Sequence, residues 1–265
     1  MNRILPPLDL HAHIDTGTQS RALEALGAVV FVATRSLDEY EQVSRRTDAV
    51  TVWGLGCHPG IAAAQNAYDE DRFADLVAGT PFVSEVGLDG SSGVSMERQV
   101  EVFESILAQV ASTPRLVSVH SKRATTRALD LIERSGLDGV ILHWWLGSAA
   151  ETRRAVELGC LFSVNRSMDI GRLKKAGVKL NGLLPETDHP SGNRRGDGLH
   201  QPGWTIDVEQ LVSVVYGTTP DAVRHQFWET LTGLVDRCGV ADGLPLVVQA
   251  MVRQVRSSGS HDEGR

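Results

Sequence analysis

Cysteine is scarce in this 265-residue sequence. Its three copies, Cys57, Cys160 and Cys238, are odd in number and far apart along the chain. Such usage excludes a disulfide framework and a cysteine-rich zinc site, because both need paired or closely spaced cysteines. It fits a reducing compartment, so the sequence predicts a cytoplasmic protein.

Positive charge is also in short supply. Lys and Arg number 26 against 33 Asp and Glu, so the net charge at pH 7 is −7. A broad nucleic-acid surface needs clustered Lys and Arg to neutralise phosphates, and this balance argues against such a surface. A local phosphate site built around metal ions stays open, since bound ions bring their own positive charge.

Long apolar runs are absent. No stretch approaches the ~18 consecutive apolar residues of a membrane span, and the first residues, MNRILPPLDL, lack the apolar segment of a secretory signal. Hydrophobic residues nevertheless make up 42% of the chain and charged residues 22%, which is typical of a protein with a substantial core. We therefore expect a soluble, untargeted protein with no membrane partner.

Short apolar runs alternate with segments of helical periodicity. Strand character is found at residues 4–14, 28–34, 50–55, 81–86, 115–120, 139–143, 160–165 and 179–184. Each of the first seven runs is followed by a helical segment, and sequential strand–helix units specify a parallel sheet. Eight such runs predict an α/β protein with a (β/α)₈ TIM barrel. A doubly wound open sheet is the alternative, and the lack of any GxGxxG or P-loop pattern after a strand disfavours it.

The chain length suits one large barrel. Residues 1–256 are predicted to form a single TIM-barrel domain, and residues 257–265, SSGSHDEGR, a disordered tail. The polar, glycine-rich residues 189–203 are predicted to form a mobile loop over one end of the barrel. Helices are expected to resume at residues 208–215 and again after Thr219, a suitable N-cap that precedes Pro220.

The first strand carries Asp9, His11 and His13 at a period of two. In a β-strand these residues point to one face, where two imidazoles can reach one ion from the same side. A buried histidine pair beside a carboxylate is hard to satisfy by hydrogen bonds alone, and metal binding satisfies it. Taken alone, such a pair is more often structural, so the prediction depends on further ligands.

Further candidate ligands fall at the ends of other predicted strands. They are His58, Glu85, His120, His143 and Asp188. In a parallel barrel all of these strand ends lie on the C-terminal face, where active sites of this fold are built. A single histidine there is more often a core residue, and Asp188 alone could cap a turn. Five histidines at matching positions are difficult to explain in that way.

One tetrahedral ion needs fewer ligands than the four imidazoles of His11, His13, His120 and His143 and the two carboxylates of Glu85 and Asp188. They predict two divalent ions bridged by a carboxylate, and the mixed ligand set is compatible with Mg²⁺, Mn²⁺ or Zn²⁺. Such a pair activates water near neutral pH and stabilises attacking and leaving oxygens, most usefully in phosphate ester hydrolysis. Glu85 alone could be a strand-end carboxylate that faces water, but a charge inside an otherwise apolar parallel strand calls for a partner.

Several neighbours of the candidate ligands have two interpretations. Lys122, two residues beyond His120, either meets a substrate phosphate in the same pocket or is a solvated residue at a helix start. Of Trp144 and Trp145, one can stack on a nucleobase while the other packs in the core. Asp89 is interpreted as a structural turn former.

Six segments, in this order and at these intervals, resemble the motif series of the TatD family of metal-dependent deoxyribonucleases, which are amidohydrolase-type barrels. The segments are DLHAHID, GCHPG, SEVGLDGS, VSVHSKRA, ILHWWLGS and PETDHP. The resemblance extends over about residues 1–240. Each segment is short, but their combination is highly specific.

The family resemblance implies a role for each candidate. The implied ligands are His11, His13 and Asp188 for one ion, His120 and His143 for the other, and Glu85 as the bridging carboxylate. Asp188 is also implied as the acceptor of the water proton, which makes Glu85 and Asp188 the catalytic carboxylates. His58 is implied to contact the substrate phosphate. Asp9 is expected to orient an imidazole without binding metal itself.

Some motif variants depart from the commoner family pattern. Lys122 stands where an arginine is usual, and HWWLG replaces HCFSG. The variants HSKRA, HWWLGS and LGCLFSVN resemble most the TatD-type nucleases of Qat anti-phage defence systems. This resemblance implies a DNase with exonuclease action on DNA, and other defence proteins as partners.

Two alternative functions stay open at this point. One is an amidohydrolase-like ester or amide hydrolase, such as a D-aminoacyl-tRNA deacylase, because the same ligand set can serve attack on phosphorus or on a carbonyl carbon. The other is a barrel that serves mainly as a binding subunit of a defence complex.

Overall fold

The computed structural model describes residues 5–194 and 199–259, and its centre is a nearly closed barrel of eight parallel strands. The strands follow one another round the barrel in chain order, each paired with the next. They are β1 (Leu8–Ala12), β2 (Val29–Ala33), β3 (Thr51–Gly56), β4 (Phe82–Gly87), β5 (Leu116–His120), β6 (Val140–Leu142), β7 (Leu161–Val164) and β8 (Leu183–Pro185). The predicted (β/α)₈ architecture is confirmed.

Helices cover the outside of the barrel. Those between successive strands are α1 (Ser20–Glu24), α2 (Leu37–Glu41), α3 (Ala62–Asn66), α4 (Glu70–Val77), α5 (Met96–Ser112), α6 (Thr125–Ser135), α7 (Ala149–Glu157) and α8 (Ile170–Lys175). In the described part of the chain, β8 is followed by α9 (Ile206–Tyr216), α10 (Pro220–Cys238) and α11 (Leu246–Gly259). Helix α10 has the predicted start, with Thr219 as N-cap and Pro220 in its first turn.

The barrel strands are buried on both faces, because inward side chains fill the barrel and outward side chains meet the helices. Strand β2, with the sequence VVFVA, is buried along its whole length. Its β-branched and aromatic residues suit extended backbone, and a covered parallel strand needs apolar side chains on both faces. Asp9, His11 and Glu85 are buried in strands of this kind, so each needs specific partners.

The barrel closes between β1 and the segment just after β8. The backbone N–H of Asp188 donates to the carbonyl of His11 at 2.8 Å, and the N–H of His13 donates to the carbonyl of His189 at 3.0 Å. These bonds place Asp188 beside His11 in β1 and His13 just after it. The first strand and the segment after the last strand therefore meet at this junction, which we call the barrel seam.

Six of the eight strands are shorter than predicted, and β1 and β8 differ most, for reasons of backbone chemistry. Strand β1 starts at Leu8 because Pro6 and Pro7 have no N–H to donate to a neighbouring strand. Leu180–Gly182 form a 3-10 turn before β8, and the Asn-Gly pair in this turn disfavours extended structure. Residues 1–4 of the predicted first strand lie outside the described residues.

The predicted loop at residues 189–203 is attached to the barrel at both ends. Ser167 Oγ donates to the carbonyl of Gly192 at 2.8 Å, and the N–H of Gly203 donates to Asp9 Oδ2 at 2.7 Å. Residues 195–198, in the middle of the segment, lie outside the described residues.

Helix α11 continues to Gly259, beyond the predicted domain end at residue 256. The remainder of the predicted tail, residues 260–265, lies outside the described residues. Within the described ranges, no helix is both long and apolar enough to cross a membrane. The three cysteines are buried free thiols.

Candidate metal centre and active site

The predicted site residues converge on the C-terminal face of the barrel. One pocket of about 410 Å³ is lined by His13, His58, Glu85, Asp89, His120, Ser121, Lys122, His143, Trp144, Leu146, Asp188 and Ser191. His11 is fully buried and contacts Glu85. All eight predicted metal-binding, catalytic and substrate-binding residues therefore lie in or directly against one pocket.

Glu85 lies at the centre of the histidine cluster and is almost completely buried. Its Oε2 is 2.7 Å from His11 Nε2 and 3.0 Å from His13 Nε2. Its Oε1 is 2.9 Å from His120 Nδ1 and 3.6 Å from His58 Nε2. The two carboxylate oxygens thus face two different sets of imidazoles.

Three imidazoles are anchored by the ring nitrogen that faces away from the pocket. His11 Nδ1 is 2.8 Å from Ser118 Oγ, and His13 Nδ1 is 2.8 Å from the carbonyl oxygen of Ala33. His143 Nδ1 is 2.9 Å from Glu186 Oε2. Such contacts fix the ring orientation and leave Nε2 as the ligand atom, as is general for metal-binding histidines.

His120 has carboxylates on both ring nitrogens. Its Nδ1 contacts Glu85, and its Nε2 is 3.3 Å from Asp89 Oδ2. The other oxygen of Asp89 accepts the backbone N–H of Ser91 at 2.8 Å. Asp89 is therefore a turn former, as the sequence indicates, and it also holds the imidazole of His120, which sequence reasoning missed.

His58 is oriented as a hydrogen-bond donor. The backbone N–H of Gly60 donates to its Nδ1 at 2.8 Å, so that nitrogen carries no proton. Burial lowers the pKa of His58, and the neutral ring then bears its proton on Nε2, in the pocket. This tautomer presents an N–H to an anionic oxygen and has no lone pair there for a metal ion.

The described residues form three groups whose ligand atoms lie within 4.8 Å of one another. The groups are His11, His13 and Glu85; His11, His143 and Asp188; and His58, Glu85 and His120. Imidazole and carboxylate are suitable donors for divalent ions of the Zn²⁺ and Mn²⁺ type. The residues present therefore fit a metal centre.

The buried charges of the centre shift the pKa values of its members strongly. Burial, assisted by the neighbouring His143, lowers the pKa of His11 to about 4. Although burial opposes it, the charge of Glu186 raises the pKa of His143 to about 10. Burial raises the pKa of Asp188 to about 7. Divalent ions would favour the neutral imidazoles and the ionised carboxylates together.

Glu186 was not predicted as a site residue. It is fully buried and accepts hydrogen bonds from Ser163 Oγ and, at 2.9 Å, from Asn165 Nδ2, in addition to its contact with His143. The available signal was its position two residues before Asp188, in the PETDHP segment. A charged residue in a buried strand-end segment has to be paired.

The expectation that Asp9 orients an imidazole is wrong. Its carboxylate accepts backbone N–H groups from His11 at 3.3 Å, from Thr187 at 2.8 Å and from Gly203 at 2.7 Å, and the hydroxyl of Thr187 at 2.6 Å. The carboxylate is buried, but its partners are three backbone N–H groups and one hydroxyl, and those of Thr187 and Gly203 lie across the barrel seam. Asp9 therefore positions the segment that carries Asp188.

The two tryptophans of the HWWLG segment have different environments. Trp145 is 2% exposed, and its Nε1 donates to Thr152 Oγ1 at 2.9 Å. Trp144 is partly exposed and lines the pocket. Lys122 is exposed and also lines the pocket. The structure thus places Lys122 and Trp144 at the pocket rim and Trp145 in the core.

An eight-stranded parallel barrel whose strand ends converge on a buried histidine and carboxylate centre defines a metal-dependent hydrolase. A family model described as TatD related DNase matches residues 8–235. The chain therefore belongs to the TatD-related DNase family, and it is a metal-dependent hydrolase of the deoxyribonuclease type.

Named relatives agree with this family. Human "Deoxyribonuclease TATDN3" is 26% identical over 249 residues, which cover 82% of this chain and 89% of the human protein. The mouse "Putative deoxyribonuclease TATDN3" is 26% identical over 220 residues, which cover 75% of this chain and 74% of that protein.

Solved structures show the same fold. YJJV, a TatD homolog from Escherichia coli K12, superposes with a TM-score of 0.73 at 21% identity, covering 86% of this chain and 96% of that one. A TatD family hydrolase from Entamoeba histolytica gives a TM-score of 0.71 at 13% identity, covering 87% and 98%.

Proposed function

We propose that this protein is a two-metal phosphodiesterase that hydrolyses DNA. The observation that carries the proposal is the position of Glu85: its Oε2 lies 2.7 Å from His11 Nε2 and 3.0 Å from His13 Nε2, and its Oε1 lies 2.9 Å from the imidazole of His120. A carboxylate with its two oxygens directed to opposite sides suits two ions better than one.

The proposed ligand partition follows the family pattern. Residues for one ion are His11, His13 and Asp188, those for the other are His120 and His143, and Glu85 is shared. The imidazole ring of His143 also stacks on that of His11, with ring centroids 3.7 Å apart, and lies 6.0 Å from the ring of His120. His143 therefore borders both halves of the centre.

Bound Mg²⁺, Mn²⁺ or Zn²⁺ would supply the positive charge that acidifies water and neutralises the reacting phosphate. The remaining work falls to side chains of this chain. Asp188 lines the pocket, with its Oδ1 3.7 Å from His13 Nε2, and accepts the proton of the attacking water. The Nε2–H group of His58 donates a hydrogen bond to a non-bridging phosphate oxygen. Lys122 adds positive charge at the pocket rim.

The decisive experiment is release of nucleotides from DNA by purified protein, with each divalent ion added to chelator-treated enzyme. Wild-type protein is expected to cleave only with an ion present, and Glu85→Gln and Asp188→Asn are expected to be inactive. Both substitutions preserve the size of the side chain, and circular dichroism checks that the variants are folded. Variants that cleave as fast as wild type would contradict the mechanism.

Two other functions are separated by the same protein preparation. Side-by-side turnover of DNA, a D-aminoacyl ester of tRNA and a lactone distinguishes a phosphodiesterase from an amidohydrolase-like esterase. A barrel that serves mainly as a binding subunit would keep its biological effect in the Glu85→Gln variant and would be recovered in an obligate complex.

We further propose exonuclease action and a role in anti-phage defence within the cytoplasm, carried out by a single domain over residues 1–256. The support is the similarity of the HSKRA, HWWLGS and LGCLFSVN segments to the TatD-type nucleases of Qat systems. End-labelled linear DNA compared with circular DNA tests the exonuclease. Plaque counts on cells that carry wild-type protein or Glu85→Gln test the defence role.

A further inference from the structure

We propose that the indole of Trp144, together with Leu146, is a stacking platform for one unpaired nucleobase next to the metal centre. This inference rests on the proposed nuclease function and specifies its substrate: a nucleotide at a strand end or in a single strand, with its base free of a pairing partner.

The first support is that successive side chains of the HWWLG segment alternate between the core and the pocket. Trp145 points into the core, where its ring packs edge-on against Phe162 with centroids 6.3 Å apart. A Cβ at Gly147 would lie 2.2 Å from Trp145 Cζ2, so the glycine allows the chain to fold closely over that indole. Trp144 and Leu146, on the alternate positions, line the catalytic pocket.

The second support is exposed apolar surface at a polar rim. Leu146 is 62% exposed, and Trp144 is partly exposed beside it. Most other residues that line this pocket are charged, imidazole or hydroxyl side chains. A nucleobase stacked on an aromatic side chain contributes about 1–3 kcal/mol and is accepted whatever the base. An indole and a leucine at such a rim provide the surface that a base needs.

The third support is backbone strain. Trp144 has a φ of 37°, in the left-handed region that a bulky residue rarely adopts. Among the described residues, the other non-glycine positions with positive φ are Glu85, Arg123 and Asp188. Two of these, Glu85 and Asp188, line the same pocket. Strain of this kind persists where a side chain has to be held in a particular direction.

Proximity to the reacting phosphate is the fourth support. The ring of Trp144 lies 6.5 Å from the ring of His143, measured between centroids, at an interplanar angle of 81°. The base and the phosphate of a nucleotide are separated by one sugar, so a phosphate at the centre brings its base close to the neighbouring indole. A base stacked there is withdrawn from the duplex, which costs a few kcal/mol unless it is already unpaired.

The experiment compares wild-type protein with Trp144→Gly and Trp144→Phe. Glycine relieves the positive φ while it removes the ring, and phenylalanine keeps an aromatic face. The substrates are a single-stranded oligonucleotide, the same strand with an abasic residue at each end in turn, and its blunt duplex. Leu146→Ser tests the second platform residue, and Leu211→Ser, on the exposed side of α9, is its matched control.

For the intact single strand, Trp144→Gly is expected to raise KM roughly 5- to 150-fold, the equivalent of about 1–3 kcal/mol. Trp144→Phe is expected to give an intermediate KM, and Leu211→Ser no change. An abasic end should weaken binding to wild-type protein by a similar factor and leave Trp144→Gly unaffected. The preference of wild-type protein for the single strand over the blunt duplex should shrink in Trp144→Gly.

Two results would overturn the platform. One is a KM for Trp144→Gly within twofold of wild type. The other is an abasic penalty of the same size in wild type and Trp144→Gly.

A loss of divalent-ion affinity in Trp144→Gly would show instead that the ring of Trp144 holds His143 in place. Anisotropy of the labelled strands gives binding without turnover. The platform is therefore tested by the difference in abasic penalty between wild type and Trp144→Gly. The nuclease proposal is tested separately, by whether wild-type protein cleaves DNA.

Discussion

Thr187 donates both its backbone N–H and its hydroxyl to the carboxylate of Asp9, at 2.8 and 2.6 Å. This pair crosses the barrel seam and joins the first strand to the segment after the last. Thr187 lies between Glu186, which holds His143, and Asp188, the proposed proton acceptor. One buried contact therefore positions two functional side chains.

Replacement of Asp9 by asparagine should impair both folding and catalysis. Every described hydrogen-bond partner of the Asp9 carboxylate is a donor, so an amide NH₂ would oppose at least one of them. An unmade buried hydrogen bond costs about 1–3 kcal/mol, measurable by urea unfolding. Thr187→Val should lose part of this stability, and Thr187→Ser should keep most of it. Equal stability of all three variants would contradict the proposed role.

Replacement of Glu186 by glutamine should weaken metal binding more than it weakens folding. The variant keeps an acceptor for His143 Nδ1 but removes the charge that supports the imidazole as a ligand. Loss of such a supporting partner lowers metal affinity by about 10- to 100-fold, which titration calorimetry with Zn²⁺ or Mn²⁺ can measure. Glu157→Gln, at an exposed position on α7, is the control and should bind metal normally.

His58 and His120 should respond differently to removal of their rings. His58→Ala should raise KM for DNA roughly 10- to 100-fold through loss of a hydrogen bond to charged phosphate, with metal affinity unchanged. His120→Ala should lose metal affinity. A His58→Ala variant with weakened metal binding would show that His58 is a ligand and that its donor orientation has been assigned incorrectly.

Divalent ions should stabilise the fold. The centre holds Glu85 and Asp188 among five imidazoles, and an ion that binds only the folded state adds stability that grows with the ratio of its concentration to Kd. At a hundredfold excess over Kd, the free energy of unfolding should rise by about 2.7 kcal/mol. Thermal melts with increasing Mn²⁺ or Zn²⁺ check this, and the Glu85→Gln variant should show a much smaller rise in melting temperature.

Gly56 should not tolerate a side chain. A Cβ there would lie 1.7 Å from the carbonyl oxygen of Thr34 and 3.0 Å from that of Ser84. The neighbouring strands would have to separate just before His58, so Gly56→Ala should cost about 1–3 kcal/mol or more and reduce activity. Gly93→Ala, with no atom within 4 Å of the added Cβ, is the control and should melt at the wild-type temperature.

The sequence indicates the barrel well because the pattern of apolar runs reflects a local requirement. A parallel strand covered on both faces has to be apolar along its length, as in VVFVA of β2. The ends of strands are less predictable. The 3-10 turn at Leu180–Gly182 replaces part of the predicted eighth strand. A β-strand also needs an adjacent strand in register to supply its backbone hydrogen bonds.

The sequence predicted which residues would gather at one end of the barrel. It predicted the contacts among them less completely. Strand ends placed the imidazoles on one face from sequence alone, whereas Glu186 was missed and Asp9 was assigned the wrong partner. Sequence spacing indicates which face a side chain points to. It contains no information on which backbone groups from a distant strand lie opposite.

The sequence by itself determined the succession of eight strands, the end of the barrel at which the candidate residues gather and the residue types available there as ligands. These follow from periodicity and from the common direction of parallel strands. Tertiary structure alone decided that Glu85 lies between two imidazole pairs, that His58 presents a proton, and that Trp144 rather than Trp145 faces the pocket. Those features depend on contacts between strands and on side-chain orientations, which long-range packing sets.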